Sequence, residues 1–307
     1  MPTAIARITI IASMALVAAA AAAQFPNGGL LPENQVTHVS DHISVIMGFP
    51  NVAIVVGDRA TLVVDTGMGP RNGAVAYRKA QKLSKGTLLY LTTTHFHPEH
   101  AAGEAAFPAN TLLVRPTVQQ KELAEHGMQF VELFASRSPQ AKELLTGVTF
   151  RAPDITFDKE ITLNLGGVTT RLFWMGAAHT QGDELIDVEP DNALISGDVV
   201  QNKLVPAAPP DYSSIKNWVE ILSQLRQTNF RYIVPDHGTL GDGSLIERDY
   251  QFLSQLQARA VELQSQGKTA DEAGKLLTDE FQKAYPDWSN VNNIANDVKR
   301  VYAEHLQ

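Results

Sequence analysis

Thr94-His95-Phe96-His97-Pro98-Glu99-His100 places three histidines and a carboxylate within six consecutive residues, His95 to His100. The run before it, Gly86 to Thr94, is apolar and then rich in hydroxyls, which reads as a buried strand. Pro98 cannot donate to a ladder, so the strand ends there and the histidines fall on the turn that follows. The next residues, Ala101 to Ala106, read as the first turns of a helix. His95 and His97 are two apart, so an extended backbone points both to the same side. Glu99 and His100 are consecutive and need not converge on one point. This spacing suggests two adjacent metal positions, one for the first pair and one for Glu99 and His100. Imidazole nitrogen and carboxylate oxygen suit Zn²⁺, with Fe or Mn also compatible.

The chain around this stretch has 307 residues, 44% hydrophobic and 19% charged, ample for a sizeable core. Its formal net charge is -8, and it has no Lys/Arg run or basic stripe of the kind a nucleic-acid surface needs. It contains no cysteine, which rules out thiolate ligands, cysteine nucleophiles and disulfides. Residues 1–23 have the three parts of a secretory signal peptide: Arg7, the apolar run Ile8 to Ala20, and Ala21-Ala22-Ala23 before Gln24. Cleavage after Ala23 is expected, giving a periplasmic or secreted bacterial protein with no membrane segment in its mature form.

Residues 24–34 read as a loose Pro/Gly-rich leader. Strands are expected at 36–39, 43–46, 51–56 and 60–65, the last two forming a hairpin across Gly57-Asp58. A helix is expected from Asn72 to Leu83. Pro116 to Phe134 has helical spacing, read as two helices broken near Gly127. Ser136 to Leu145 is a candidate cover for the site, with Ser136-Arg137-Ser138 as a candidate lid. Further strands are expected at 155–157, 161–165, 168–174, 191–198 and 230–234, with a helix from Tyr212 to Leu225. Residues 244–307 are mostly helical, with breaks near Gly267 and Pro286. An internal echo links the stretch ending in Asp65 to that ending in Asp198, and the strand ending in His95 to that ending in His179. This suggests a duplicated β-rich unit packed as two sheets with helices outside.

Several expected strands end in a possible ligand, and neighbouring strand ends converge on one sheet edge. A first metal position would take His95, His97 and His179. A second would take Glu99, His100 and His237, with Asp198 as a bridge between them.

At this point the chain resembles the metallo-β-lactamase fold superfamily. The resemblance is carried by His95-Phe-His97-Pro-Glu99-His100, Gly176-Ala-Ala-His179-Thr-Gln-Gly-Asp183, Ser196-Gly-Asp198, Pro235-Asp-His237-Gly238 and Leu62-Val-Val-Asp65-Thr-Gly67. It covers about 36–240. It implies an α+β, four-layer αββα sandwich over 35–243, with 244–307 as a helical extension packed on the same domain. It also implies a two-zinc hydrolase: paired cations lower the pKa of water, the resulting hydroxide attacks a carbonyl, and a cation takes the oxyanion.

Two departures from the family pattern stand out. Glu99 replaces the usual Asp, and its extra methylene must fold back or displace the second metal. Asp236 replaces the more usual Gly. Asp198 and the lack of Cys separate this chain from cysteine-liganded β-lactamases, and Asp198 resembles instead the bridging carboxylate of glyoxalase II-like and lactonase-like members. Glu99 and Asp198 are the candidate catalytic groups, and Glu99 could orient the water or take its proton. Asp65 is read as orienting a ligand. Lys203 and Tyr212 are candidates for substrate binding, Lys203 by analogy with the lysine of related β-lactamases.

The favoured activity is hydrolysis of a small amide or ester-like carbonyl compound, with a β-lactam as the best single substrate. The alternatives are a thioesterase or lactonase, a one-iron persulfide dioxygenase-like enzyme suggested by Glu99, and a non-catalytic metal-binding protein. The sequence leaves oligomeric state open.

Overall fold

The computed structural model describes residues 26–209 and 211–305, so the expected signal segment 1–23 lies outside the described residues. Two sheets form its centre. The first runs in chain order, β1 (Thr37–His38), β2 (Ile43–Ile46), β3 (Val52–Val56), β4 (Ala60–Val64), β5 (Leu88–Thr92), β6 (Leu112–Pro116) and β7 (Ile155–Phe157). Its first four strands are antiparallel, and β4 to β7 are parallel. The second sheet has the order β12 (Tyr232–Pro235), β11 (Ala193–Gly197), β10 (Glu184–Glu189), β9 (Thr169–Trp174) and β8 (Glu160–Asn164). Only its β11–β12 pair is parallel.

The layering follows from side-chain alternation along buried strands. Successive residues of a strand face opposite sides, yet every residue of β3 and β4 is buried. Ala53, Val55, Leu62 and Val64 meet Leu172, Ile186 and Ile195 of the other sheet. Their neighbours Val52, Ile54 and Val63 pack outward with Val75, Ala76 and Ala80 of helix α1 (Gly69–Leu83). The second sheet repeats the scheme. Leu172 and Ile186 face inward, whereas Phe173, Leu185 and Leu194 face the helices. Sheets with two apolar faces must be covered twice, and the result is the αββα sandwich.

The short helix α2 (Pro98–Ala101) begins at Pro98, where the missing N–H costs nothing. It is followed by a 3-10 turn at Glu104–Ala106 rather than a longer helix. Helix α3 (Thr117–Ala135) is continuous, against the expected break at Gly127. Gly127 serves packing instead: a Cβ there would lie 3.0 Å from both Leu123 and Phe150. Helix α4 (Pro139–Leu144) packs its Ala141 and Leu144 with Met68 and Phe134. On the other side, α5 (Ile215–Leu225), α6 (Ser244–Ser265), α7 (Ala270–Ala284) and α8 (Asn293–His305) cover the second sheet. Phe252, Leu277, Phe281 and Val298 of α6–α8 share one buried cluster with Phe173, Leu185 and Ile233 of the sheet.

Three expectations need correction. The leader is not loose throughout: Leu31 is buried, its N–H donates to Asn72 Oδ1 (3.0 Å), and Asn72 Nδ2 donates to the Gly29 carbonyl (2.6 Å). Strands β6 and β10 add to the expected set. The internal echo also pairs differently. Strand β11 does match β4, each antiparallel to its predecessor and parallel to its successor. The counterpart of β5 is therefore β12, which leads to His237, and not β9, which leads to His179.

Candidate metal centre

The site lies where β4, β5, β9, β11 and β12 end. After β4, Asp65 adopts φ 69°, a left-handed conformation that Asp tolerates better than most residues. Its N–H donates to the Thr92 carbonyl (2.9 Å), and its Oδ1 accepts from the Thr94 N–H (2.7 Å). Thr66 then donates through its N–H (2.9 Å) and its hydroxyl (2.6 Å) to the His100 carbonyl. The Glu184 N–H donates to the Thr94 carbonyl (2.7 Å), tying the turn to the second sheet. The histidine turn is thus fixed by backbone bonds from both sheets.

Three ring nitrogens meet on one side. His95 Nε2 is 3.0 Å from His97 Nδ1, which is 3.2 Å from His179 Nε2. Burial, with the neighbouring histidines, holds His95 and His97 well below the usual histidine pKa, so both are neutral and offer lone pairs. The Nδ1–H of His179 donates to the Ala207 carbonyl (2.6 Å), which turns the Nε2 lone pair inward.

Beside this triad, Glu99, His100 and His237 bring ligand atoms within 4.8 Å of one another. Asp198 spans the two groups, with Oδ2 3.5 Å from His179 Nε2 and Oδ1 3.3 Å from His237 Nε2. Burial opposes the Asp198 charge, but His237 and His179 outweigh it and lower its pKa. Burial raises the pKa of Glu99, partly offset by His100 and Arg137. The extra methylene of Glu99 does not carry its carboxylate away: it stays buried in the cluster with His100 and His237.

Behind His100 sit two carboxylates. Its Nδ1 lies 3.0 Å from Asp65 Oδ2 and 3.3 Å from Asp236 Oδ2. Thr94 Oγ1 also donates to Asp236 Oδ2 (2.7 Å). Burial, and then the adjacent Asp65 charge, push Asp236 well above the usual carboxylate range. Burial alone would lower His100, but Asp65 and Asp236 together raise it.

The residues fit divalent cations. Glu99 Oε2, His100 Nε2 and Asp198 Oδ1 are buried without a hydrogen-bond partner among the described residues. Buried polar atoms are rarely left so, and a cation beside them would satisfy all three. Nitrogen and carboxylate donors without sulfur suit Zn²⁺ and its first-row neighbours. The structure therefore brings together His95, His97, Glu99, His100, His179, Asp198 and His237.

The two residues expected to bind substrate fare differently. Lys203 is half exposed, and its Nζ is 2.6 Å from Asp287, an ion pair that occupies its charge at the surface. Tyr212 borders the site instead: its ring lies 6.2 Å from Phe96, 5.5 Å from Phe130 and 5.0 Å from His126. Phe130 stacks on His97 at 4.8 Å, and Phe49 on His237 at 4.1 Å. Phe130 and Phe49 carry no motif in the sequence, and Arg137 enters it only within the candidate lid Ser136-Arg137-Ser138. Phe130, on α3, had only its helical spacing as a signal. His42 is bound to Asp191 (2.6 Å) and His38 to Ser44 (3.0 Å), both outside the cluster.

An αββα sandwich carrying two histidine–carboxylate donor sets at its strand ends defines a class of metal-dependent hydrolases. The chain belongs to the metallo-beta-lactamase superfamily, whose family model matches residues 45–237. Among curated proteins, the metallo-beta-lactamase type 2 of Bacteroides fragilis is 24% identical over 106 residues, which is 34% of this chain and 43% of that protein. The aligned stretch thus spans less than half of that relative. The metallo-beta-lactamase from Pontibacter korlensis superposes with a TM-score of 0.59 at 20% identity, covering 72% of this chain and 98% of that one. The stereoselective inverting sec-alkylsulfatase Pisa1 from Pseudomonas sp. gives 0.68 at 15% identity, covering 88% of this chain and half of that one.

Proposed function

We propose that the protein is an exported two-zinc hydrolase that opens a small amide or ester-like carbonyl compound, with a β-lactam as the favoured substrate. The observation that carries this reading is the pair of donor sets joined by Asp198. His95, His97 and His179 would hold one cation; Glu99, His100 and His237 the other. Zinc bound there would supply Lewis acidity and a water acidified to near neutrality.

The chain's own residues have distinct roles in this reading. Asp65 and Asp236 hold His100 by Nδ1, leaving Nε2 directed into the site. The Ala207 carbonyl does the same for His179. Asp183 shapes the His179 turn, accepting from the Ala178 N–H (3.2 Å) and the Thr180 N–H (2.8 Å). Glu99, buried with Oε2 free of hydrogen-bond partners among the described residues, would face the second cation beside His100 and His237. Phe130 and Tyr212 exclude water from one wall. The favoured substrate rests on family membership and on the signal-like segment 1–23, since an exported enzyme meets β-lactams outside the cytoplasm.

A second reading is a sulfate ester as substrate. It is favoured by the superposition on the sec-alkylsulfatase, which covers 88% of this chain against 72% for the lactamase. The test is turnover of nitrocefin and of an alkyl sulfate by zinc-loaded protein. Nitrocefin hydrolysis that a chelator abolishes supports the first reading, and alkyl sulfate turnover alone replaces it with the second. No turnover of either, nor of a lactone or thioester, overturns the hydrolase reading.

A further inference from the structure

Arg137 follows the last turn of α3 and had no role in the family resemblance. Its guanidinium lies 3.6 Å from the centre of the Phe134 ring, and that ring is 6.0 Å from His97. Its charge is close enough to act on both Glu99 and His97. Yet among the described residues the guanidinium makes no hydrogen bond and no ion pair.

That is unlike the chain's other partly or fully buried arginines. Arg115 is held by Glu104 and Gln120, and Arg151 by the Thr111 carbonyl (3.0 Å) and Asp154 (3.7 Å). Arginine presents five donors in a rigid planar fork, and burial without partners is costly. No ion pair joins Arg137 to Glu99 among the described residues; the Glu99 carboxylate groups with His100 and His237 instead. Against His97 stands an apolar wall, with Phe130 stacked on the imidazole and Phe96 and Tyr212 against Phe130.

We propose that Arg137 is the anion-recognition residue of this cleft, binding the carboxylate or sulfate group of a substrate whose apolar body lies on Phe130 and Tyr212. This deepens the hydrolase reading and rests on it for the word substrate. A β-lactam carboxylate and a sulfate ester share this oxyanion chemistry, which a guanidinium fork meets with two parallel bonds. It also gives the role expected of Lys203 to a residue whose charge is not already engaged.

The test uses three unreactive probes on the zinc-loaded and the metal-free full chain: 4-phenylbutyrate, 4-phenylbutanesulfonate and the neutral 4-phenylbutanamide. Binding is read by calorimetry for wild type, R137M and R137K, with melting temperature and zinc content as controls for folding. Wild type should favour an anion over the amide by about tenfold in both forms. R137M should remove that preference while keeping its affinity for the amide, and R137K should restore part of it. Whichever of carboxylate or sulfonate is preferred identifies the oxyanion. An anion preference that survives in R137M, as an anion held by zinc alone would give, overturns the proposal. So does a wild type that binds no anion better than the amide. If the preference behaves as expected while no substrate is turned over, the hydrolase reading fails and the anion site stands.

Discussion

Replacing Asp65 by Asn removes one acceptor from behind His100 and disturbs little else. Asn tolerates the left-handed backbone (φ 69°) as Asp does, and its Oδ1 can still accept from the Thr94 N–H. What is lost is the charged acceptor 3.0 Å from His100 Nδ1. A hydrogen bond to a charged group is worth about 1.5–3 kcal/mol. Asp236 limits the damage. It lies 3.3 Å from the same nitrogen, and burial and the Asp65 charge raise its pKa. Once that charge is gone, Asp236 can ionise and take over, leaving a net loss of about 1–2 kcal/mol, or roughly 5- to 30-fold in affinity. The double variant D65N/D236N has no carboxylate left behind His100 and should lose on the order of a hundredfold. Competitive zinc titration against a chromophoric chelator resolves this. The equivalent held by His95, His97 and His179 should change little, whereas the one involving His100 should weaken. If D65N weakens only the first equivalent, or the double variant is no worse than the single, the reasoning about His100 is wrong.

Other consequences follow from buried charges and close backbone contacts. Glu122 accepts from the Gln181 N–H (3.0 Å), and burial lifts its pKa to about 8. A raised carboxyl stabilises the fold below its unfolded pKa and loses that contribution as pH rises toward 8. E122Q should therefore match wild type at pH 5 and exceed it at pH 8.5 by on the order of 1–3 kcal/mol in urea denaturation; equal curves at pH 8.5 refute this. In the metal-free chain, burial lowers His237 to about 4 and lowers His95 and His97 as well. Their contribution is complete above an unfolded pKa of about 6.5 and is lost as pH falls, about 3 kcal/mol for His237 by pH 4. His100 runs the other way, its contribution being lost as pH rises, so acid should be the more damaging direction; a urea midpoint flat from pH 7.5 to 4.5 contradicts this. At Gly73, a Cβ would stand 2.0 Å from the Gly103 carbonyl oxygen, because α1 crosses the loop after the histidine turn at backbone contact. G73A should lower stability by about 1–3 kcal/mol rather than give the usual helical gain; a raised melting temperature refutes it.

Legibility in the sequence followed how local the physical signal was. The hairpin at β3–β4 was readable because its β-branched runs flank a Gly-Asp turn. The helical extension was readable through its breaks at Gly267 and Pro286. The donor set was readable because His95, His97, Glu99 and His100 sit in one turn, and His179, Asp198 and His237 each end a strand. Strand β10 was missed because Glu184 and Glu189 frame it with charge. Glu184 is nevertheless fully buried, accepting from the Thr92 hydroxyl at 2.8 Å, a tertiary bond that no local pattern announces. Gly127 misled for a similar reason: it marks a close contact with Phe150 rather than a helix break. Asp236 was noticed only as an unusual residue, and its pairing with Asp65 across 171 positions of chain needed coordinates. Lys203 was favoured by analogy. What the sequence concealed was that Asp287 takes its charge, while Arg137, in a loop with no motif, lies close enough for its charge to act on Glu99.

The central claim is that two donor sets, joined by Asp198, hold two cations. Its most direct test is the zinc stoichiometry of the purified chain beside that of H97A and H100A, by elemental analysis after equilibrium dialysis. The expected result is two zinc ions per wild-type chain and one in each variant, with H97A losing the position it shares with His95 and His179. A wild-type chain that retains no zinc, or variants that retain as much as wild type, would contradict it.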